Sequence, residues 1–254
     1  MRPVTTVKAR DGYSDVVRRL SAAQKSGKGA PAYSLYVNRW MGRRLAALAY
    51  LAGFRPNQVT LVSAACSFSA IAVLVLVPAS WWSGPLVAVG LALGYALDAA
   101  DGQLARLRGG GSVSGEWLDH MIDCVKISAL HLGVAVSLYR FTDLPVAWVL
   151  LPMAYAVVGA VSFFGQILNE QLRRNAGVER PVGPDASPPS LGRSLAKIPL
   201  DYGVLCLAFV LLGAQSLFLL AYGAMFVAAT AYLVLAWGAW FRSMREVDRV
   251  LGTR

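Results

Sequence analysis

The sequence has few charged residues and almost no cysteine. Only 15% of its 254 residues are charged, whereas about a quarter of the residues of a typical soluble domain are. The three cysteines, Cys66, Cys124 and Cys206, lie in apolar segments without a CxxC or Cys/His spacing. Neither a disulfide framework nor a zinc site is therefore expected. No apolar segment follows the first basic residues, so a cleavable signal peptide is not expected either.

Apolar residues account for 56% of the sequence and are concentrated in long runs. Six runs approach the roughly 20 residues that cross a bilayer as a helix; they lie at 59–78, 84–106, 115–138, 146–168, 196–213 and 217–239. The segment 35–52 differs, because its apolar residues recur at helical spacing while Arg39 and Arg43 share another face. The sequence predicts an all-α integral membrane protein with six transmembrane helices plus an N-terminal interfacial amphipathic helix. Packing of 35–52 against a soluble partner is the alternative.

Basic residues outnumber acidic residues by 24 to 14 and gather at one set of predicted helix ends. Of the 24 lysines and arginines, 22 lie in 1–55, 106–111, 168–199 or the tail from 242. The positive-inside rule then places both termini and the aspartate-bearing helix ends on the cytoplasmic side. In so apolar a chain, membrane lipids with anionic headgroups, and no nucleic acid, are the expected partners of this charge. The arginine-rich composition favours a bacterial inner (cytoplasmic) membrane.

The charge pattern divides the chain into three predicted parts. Residues 1–34 form a polar, basic cytoplasmic segment, 35–240 form the membrane domain, and 241–254 form a cytoplasmic tail. The connection at about 169–195 contains four prolines and is predicted to be a cytoplasmic loop.

Four aspartates lie near the predicted cytoplasmic ends of the second and third spans. Asp98 and Asp101 are three residues apart, and Asp119 and Asp123 are four apart, so each pair shares a helix face. The glycine-rich link 108–112 is flexible enough to bring the two helix ends side by side. A carboxylate in the hydrocarbon region costs roughly 2.5–3.5 kcal/mol on insertion scales, and four together repel one another.

This clustered charge predicts a divalent metal site. Lys126 and Arg106 are too few to neutralise four carboxylates, and hard oxygen ligands suit Mg²⁺ or Mn²⁺. Four carboxylates exceed what one Mg²⁺ takes, which favours two metal ions, as in sites that clamp both oxygens of a phosphoryl displacement. The alternative for aspartates in membrane helices is an ion pathway or a proton relay, as in transporters. His131, in the middle of the third span, is expected to be a hydrogen-bonded packing residue rather than a ligand.

The aspartates belong to a longer pattern of fixed residues. The pattern consists of Asp98, Asp101, Gly102, Ala105, Arg106, Gly115, Asp119 and Asp123. At every defined position it resembles the signature of the CDP-alcohol phosphotransferase (CDP-alcohol phosphatidyltransferase) family. Pro56, Asn57 and Thr60 also resemble the Pro-Asn-x-x-Thr start of that family's first helix. The six predicted spans agree with the family fold, whereas residues 1–34 and the 169–195 loop add nothing to the resemblance.

The resemblance implies a role for each matching residue. Asp98, Asp101 and Asp119 would be metal ligands, and Asp123 would be both a ligand and the catalytic base on the acceptor hydroxyl. The nucleotide pocket, which holds CMP, would be lined by Gly102, Ala105, Arg106 and Gly115, with Asn57 and Thr60 as further candidates. The family also implies Mg²⁺ or Mn²⁺ as cofactor, two ions per site, and a homodimer.

The reaction that the resemblance implies transfers a substituted phosphate, most simply a phosphatidyl group from CDP-diacylglycerol, to an acceptor alcohol and releases CMP in phospholipid biosynthesis. A soluble CDP-alcohol donor with a lipid acceptor, as in choline or ethanolamine phosphotransfer, is the alternative enzyme. An ion-coupled transporter is the alternative of another class. An anionic acceptor is predicted from nearby basic residues, namely Lys126, Arg173, Arg174, Arg193 and Lys197. The alternative is that these residues only orient the protein and bind anionic lipid.

Overall fold

The computed structural model describes residues 12–24, 31–178 and 198–252, and all regular secondary structure in these ranges is helical. The α-helices in these ranges are α1 Tyr13–Ala22, α2 Arg39–Leu51, α3 Pro56–Leu76, α4 Ser83–Leu107, α5 Val113–Phe141, α6 Leu150–Asn175, α7 Tyr202–Ala208 and α8 Gln215–Leu251. Turns of other helix types adjoin them at Ser34–Asn38, Val146–Val149, Ile198–Leu200 and Phe209–Gly213. The predicted all-α class is confirmed.

Five helices in the described ranges are long and apolar enough to cross a membrane. They are α3, α4, α5, α6 with its preceding turn, and α8, and they match five of the six predicted spans. At the predicted fifth span, 196–213, the structure has a shorter apolar helix, Tyr202–Gly213. This helix is about 20 Å long, against a hydrocarbon core of about 30 Å. The integral membrane fold is thus confirmed, while a count of six full-length spans is not.

The short helix covers only one half of the bundle. Near its start, the Tyr202 ring meets the Tyr95 ring of mid-α4 edge-on, with centroids 5.1 Å apart. At its end, a Cβ atom added to Gly213 would lie 2.5 Å from the ring of Trp81, which precedes α4. The chain therefore passes from the middle of α4 to its first turn within these residues.

Asp201 makes it possible for a helix to begin in the bundle interior. Its Oδ1 atom accepts a hydrogen bond from the Gly203 N–H group at 3.0 Å, and its Oδ2 atom accepts one from the Ser34 N–H group at 3.0 Å. The residue is 1% exposed. Its carboxylate thus satisfies backbone donors that hydrocarbon would leave without partners.

Small residues bring α3 and α4 into close contact. The Ser63 hydroxyl donates to the carbonyl oxygen of Gly94 at 2.8 Å, and a Cβ atom on Gly94 would collide with the Ser67 hydroxyl. Such close approach is typical of helix packing in membranes. It fixes the rotation of α4 one turn before Asp98 and so determines the direction of that carboxylate.

Glycines form the tight link between α4 and α5. Gly109 and Gly110 have φ angles of +97° and +122°, a region that glycine tolerates far better than other residues. Ser112 then caps α5, because its hydroxyl accepts a hydrogen bond from the Gly115 N–H group at 3.0 Å. The α5 aspartates are thereby returned to the side of α4, as the glycine-rich link predicted.

The predicted interfacial helix is α2. Its inner face approaches α4 through Gly42, where an added Cβ atom would lie 2.9 Å from the Cβ atom of Ala99. Apolar residues on the outer face are exposed, including Trp40 at 49% and Leu48 at 55%. This exposed apolar face is the one predicted to lie in the membrane interface.

The N-terminal segment, predicted only to be polar and basic, includes α1. Val16 and Leu20 lie four residues apart, are 0% and 1% exposed, and pack in one cluster with Tyr50 of α2 and Leu104 of α4. Burial of each side chain contributes about 1.5–3 kcal/mol. This burial stabilises a helix of 10 residues that would be marginal alone.

Candidate metal centre and adjoining cavity

Three aspartates from two spans converge in the half of the bundle nearest the α4–α5 link. Asp98 of α4 and Asp119 and Asp123 of α5 each offer one carboxylate oxygen, and the three oxygens all lie within 4.8 Å of one another. The Asp98 and Asp123 side chains are 20% and 21% exposed. Hard oxygen ligands grouped in this way suit a divalent cation such as Mg²⁺ or Mn²⁺.

Lys126 supplies positive charge inside the aspartate cluster. Its Nζ atom lies 2.6 Å from Asp123 Oδ1 and 3.1 Å from Asp98 Oδ1, and its side chain is 4% exposed. One ammonium group does not balance three carboxylates, so the cluster keeps a net negative charge where desolvation is costly. A divalent cation would offset that charge. Lys126, predicted to face the acceptor, is thus placed between two carboxylates.

Asp101, the fourth predicted ligand, lies outside the group of three. Its Oδ2 atom accepts a hydrogen bond from the Thr60 hydroxyl at 2.6 Å, and the residue is 6% exposed. Thr60, predicted to face the nucleotide, is itself buried. The structure therefore has three converging carboxylates, with Asp101 beside them on the next turn of α4.

The two glycines of the pattern have different surroundings. A Cβ atom on Gly115 would lie 2.9 Å from Asn57 Oδ1, so this glycine lets α5 begin against the first turn of α3. Around Gly102, the described residues place only Arg106 Nη1 within 4 Å of an added Cβ atom, at 3.5 Å. Space beside Gly102 is thus open, whereas the space beside Gly115 is occupied by the side chain of Asn57.

Arg106 reaches back along α4 toward Gly102. Its Nε atom donates a hydrogen bond to the carbonyl oxygen of Ala23, just after α1, at 3.2 Å. Ala105 is half-buried and, three residues after Gly102, shares its helix face. A guanidinium group beside two small residues is an arrangement that can bind a phosphate closely.

A cavity of about 760 Å³ lies between α5, α6, α7 and α8. Two of its lining residues are close in sequence to the aspartate cluster: Tyr95 lies one turn before Asp98 on α4, and Ile127 follows Lys126 on α5. Its polar lining residues include Gln166, Asn169, Glu170, Arg173 and Ser243. The Asn169 Oδ1 atom is buried and has no hydrogen-bond partner among the described residues. Polar groups that converge on a cavity of this size suit a small ligand.

The two arginines at the end of α6 are placed differently. Arg173 lines the cavity and donates from Nη1 to the Ser243 hydroxyl at 2.5 Å. Arg174 is on the surface, with a side chain 52% exposed, and its guanidinium lies 2.9 Å from Glu116 and 3.4 Å from Glu170. Arg193 and Lys197, the other predicted acceptor contacts, lie outside the described residues.

His131 lines the far end of the cavity. Its Nδ1 atom lies 2.6 Å from the Tyr222 hydroxyl, and its ring stacks on Tyr155 with centroids 4.0 Å apart. The prediction of a hydrogen-bonded packing residue is confirmed. The cavity extends along α6, because two of its lining residues, Tyr155 and Arg173, lie about 27 Å apart along this helix at 1.5 Å per residue.

The polar lining contributed by α6 did not follow from any motif. A signal was nevertheless present, because Ser162, Gln166, Asn169 and Arg173 recur at intervals of three or four residues in an otherwise apolar helix. That spacing places them on one face. A polar stripe within a membrane span indicates a face turned toward protein or a cavity rather than lipid.

Comparison with known families agrees with the site. Residues 54–241 match the sequence profile of the family described as CDP-alcohol phosphatidyltransferase. The matched region contains the whole aspartate pattern and extends from just before α3 into α8, so α1 and α2 precede it. A search among curated proteins finds no match.

Proposed function

Because the chain belongs to the CDP-alcohol phosphatidyltransferase family, we propose that it transfers a phosphatidyl group from CDP-diacylglycerol to an acceptor alcohol and releases CMP, as a step of phospholipid biosynthesis. One observation carries the proposal. Along α4, Asp98 of the convergent aspartate group lies between Tyr95, which lines the polar cavity, and Gly102, beside which the space is open. That order provides a place for a nucleotide, a metal centre and an acceptor side by side.

The residues present fit a divalent metal. Three carboxylate oxygens lie within 4.8 Å of one another, and the buried Lys126 ammonium group pairs with two of these residues, Asp98 and Asp123. Asp98, Asp119 and Asp123 would hold the ion, and Asp101 would join them if two ions bind. When bound, Mg²⁺ or Mn²⁺ offsets the negative charge of the pyrophosphate and of the departing CMP.

The protein groups on the donor side bind and orient the nucleotide. Gly102 and Ala105 present a small-residue surface against which a nucleotide can lie. Arg106 turns toward Gly102 and would contact a phosphate oxygen. Asn57, Thr60 and Gly115 would shape the adjoining wall through their contacts with each other and with Asp101. 

Asp123 is proposed as the base that takes the proton from the acceptor hydroxyl. It lies in the cluster, and Ile127, one turn later on α5, lines the cavity, so an acceptor in the cavity can bring its hydroxyl to this carboxylate. Lys126 holds the side chain at 2.6 Å, which orients the oxygen that is to accept the proton. The phosphorus that bears the lipid alcohol then receives the acceptor oxygen, and the bond to CMP breaks.

The acceptor is proposed to be an anionic alcohol. Replacing Arg173 by alanine should raise the acceptor KM by about ten-fold or more, the expected loss when a hydrogen bond between charged groups is removed. The donor KM should change little. Arg174→Ala is the matched comparison, because it removes an equal charge from the next residue, whose guanidinium pairs with Glu116 and Glu170 and is not part of the cavity lining. Equal effects of the two changes, or preference for an uncharged alcohol over its phosphorylated form, would contradict the assignment.

The reaction itself is tested with purified protein. We expect CMP release from CDP-diacylglycerol when the right alcohol is supplied from a panel of free and phosphorylated alcohols, with the lipid product identified by mass spectrometry. A parallel panel pairs soluble CDP-alcohols with diacylglycerol. Absence of CMP release from both panels would refute the proposed function, and activity in the second panel alone would reassign the donor.

Both termini and the active site are proposed to face the cytoplasm. Reporter fusions in the α3–α4 link and at Arg254 should then report opposite sides, while a fusion in the 108–112 link should agree with Arg254. This outcome requires the short helix Tyr202–Gly213 and the residues before it to complete one crossing. Equal signals from the α3–α4 link and Arg254 would mean that this crossing is not made.

A further inference from the structure

The segment at the end of α1 contacts the turn of α4 that carries the proposed donor residues. Gln24 Nε2 donates a hydrogen bond to Gln103 Oε1 at 2.7 Å. Arg106 Nε donates to the carbonyl oxygen of Ala23 at 3.2 Å. Gln103 Nε2 in turn donates to the carbonyl oxygen of Arg39 at 3.3 Å. These contacts join α1, α2 and α4, and one of them holds the guanidinium group of Arg106.

Burial and polar contacts hold α1 in place. Leu20, one turn before Gln24, is 1% exposed in the cluster with Tyr50 and Leu104. On the neighbouring face, Arg43 Nη1 donates to the Ser21 hydroxyl at 2.5 Å. The position of the α1 terminus is therefore set by packing, so Ala23 and Gln24 offer fixed partners to α4.

We propose that α1 is a positioning element of the donor site. Its Ala23 carbonyl holds the Arg106 guanidinium beside Gly102, where it would meet a phosphate of the CDP-linked donor, and the hydrogen bond from Gln24 to Gln103 fixes the end of α1 against α4. The inference rests on the proposed function, and it assigns a role to a helix that precedes the family-matched residues 54–241.

The physical reason is the flexibility of arginine. A free arginine side chain samples many rotamers and loses that freedom when it binds a phosphate. A hydrogen bond that already holds Nε reduces this loss of entropy, since phosphate binding then has to order fewer rotatable bonds of the side chain. The remaining guanidinium N–H groups stay available for the phosphate, because Nε uses only one of five donors.

The experiment compares variants of the full chain in which the packing of α1 is either disrupted or kept. Leu20→Asp places a carboxylate in the buried cluster and should weaken CMP binding, and raise the KM for CDP-diacylglycerol, by about ten-fold. The acceptor KM should not move. Gln24→Leu should act in the same direction. Leu20→Met keeps the apolar contact and should have the wild-type affinity for CMP. Arg18→Ala, on the exposed side of α1, should also leave the CMP affinity unchanged.

A double-mutant cycle separates positioning from general stability. If α1 acts through Arg106, Leu20→Asp should have no further effect on CMP affinity in an Arg106→Ala background. An equal effect in both backgrounds, or a lower Tm with unchanged CMP affinity, would overturn the proposal. CMP release by the wild-type protein is measured first. Its absence would refute the proposed function, whereas normal release with unaffected α1 variants would refute only this inference.

Discussion

Replacement of Asp123 by asparagine is expected to lower the rate of CMP release by about 10²–10⁴-fold, the usual contribution of a positioned general base, while donor binding is largely retained. Asparagine keeps the size of the side chain but cannot take the proton of the acceptor hydroxyl. Because Asp98 and Asp119 remain in the cluster, the ion and the nucleotide should still have most of their ligands.

The measurement pairs single-turnover CMP release with equilibrium binding of CMP or a donor analogue. Asp143→Asn is the control, since Asp143 lies in the link at the opposite end of α5 from the cluster. A rate that stays within about two-fold of wild type in Asp123→Asn would exclude the base assignment. Loss of rate together with an equal loss of donor affinity would instead make Asp123 a ligand only.

Removal of divalent cations by EDTA is the second large effect. Activity should fall to background and return on addition of Mg²⁺ or Mn²⁺. The reason is the imbalance of charge, because three carboxylates converge and the Lys126 ammonium group, which pairs with Asp98 and Asp123, carries only one positive charge. Without a cation, a pyrophosphate would have to enter a site that is already negative.

A readout without substrate makes this test independent of turnover. A cation that binds only the folded protein raises its stability with concentration, so Tm should rise on titration with Mg²⁺ or Mn²⁺. Asp119→Asn removes one of the three converging oxygens and should reduce that rise. Full activity after exhaustive chelation, or a cation-induced shift that is the same in Asp119→Asn, would show that the cluster is not the metal centre.

Hydropathy predicts where a helix lies in the membrane, but not where its backbone starts or stops. The predicted span 84–106 nearly equals α4, Ser83–Leu107, because the glycine-rich link that follows ends both the apolar run and the helix. The last predicted span stops at 239, yet α8 continues to Leu251, since charged residues extend a helix beyond the hydrocarbon. The run 196–213 has the composition of a span, but Asp201 caps a helix that begins only at Tyr202.

The site was predictable where it depends on local spacing and not where it depends on two elements at once. The spacing of the α4 and α5 aspartates, with the link between them, predicts their convergence. The i+3 position of Lys126 places it on the face of Asp123, but only the packing of α4 brings Asp98 within 3.1 Å of its ammonium group. Likewise, the hydrogen bond of Asp101 with Thr60 joins residues 41 positions apart, which no local pattern encodes.

The contact of Asp201 with Ser34 has a consequence for the order in which the protein assembles. The two residues are 167 positions apart, so α2 to α6 leave the ribosome long before Asp201 does. Contacts with so large a separation in sequence form late, because a long loop must close first. Until then, the last quarter of the chain carries a carboxylate with one of its two backbone partners missing. The start of α7 therefore reaches its final hydrogen bonding only when it packs against the segment that precedes α2.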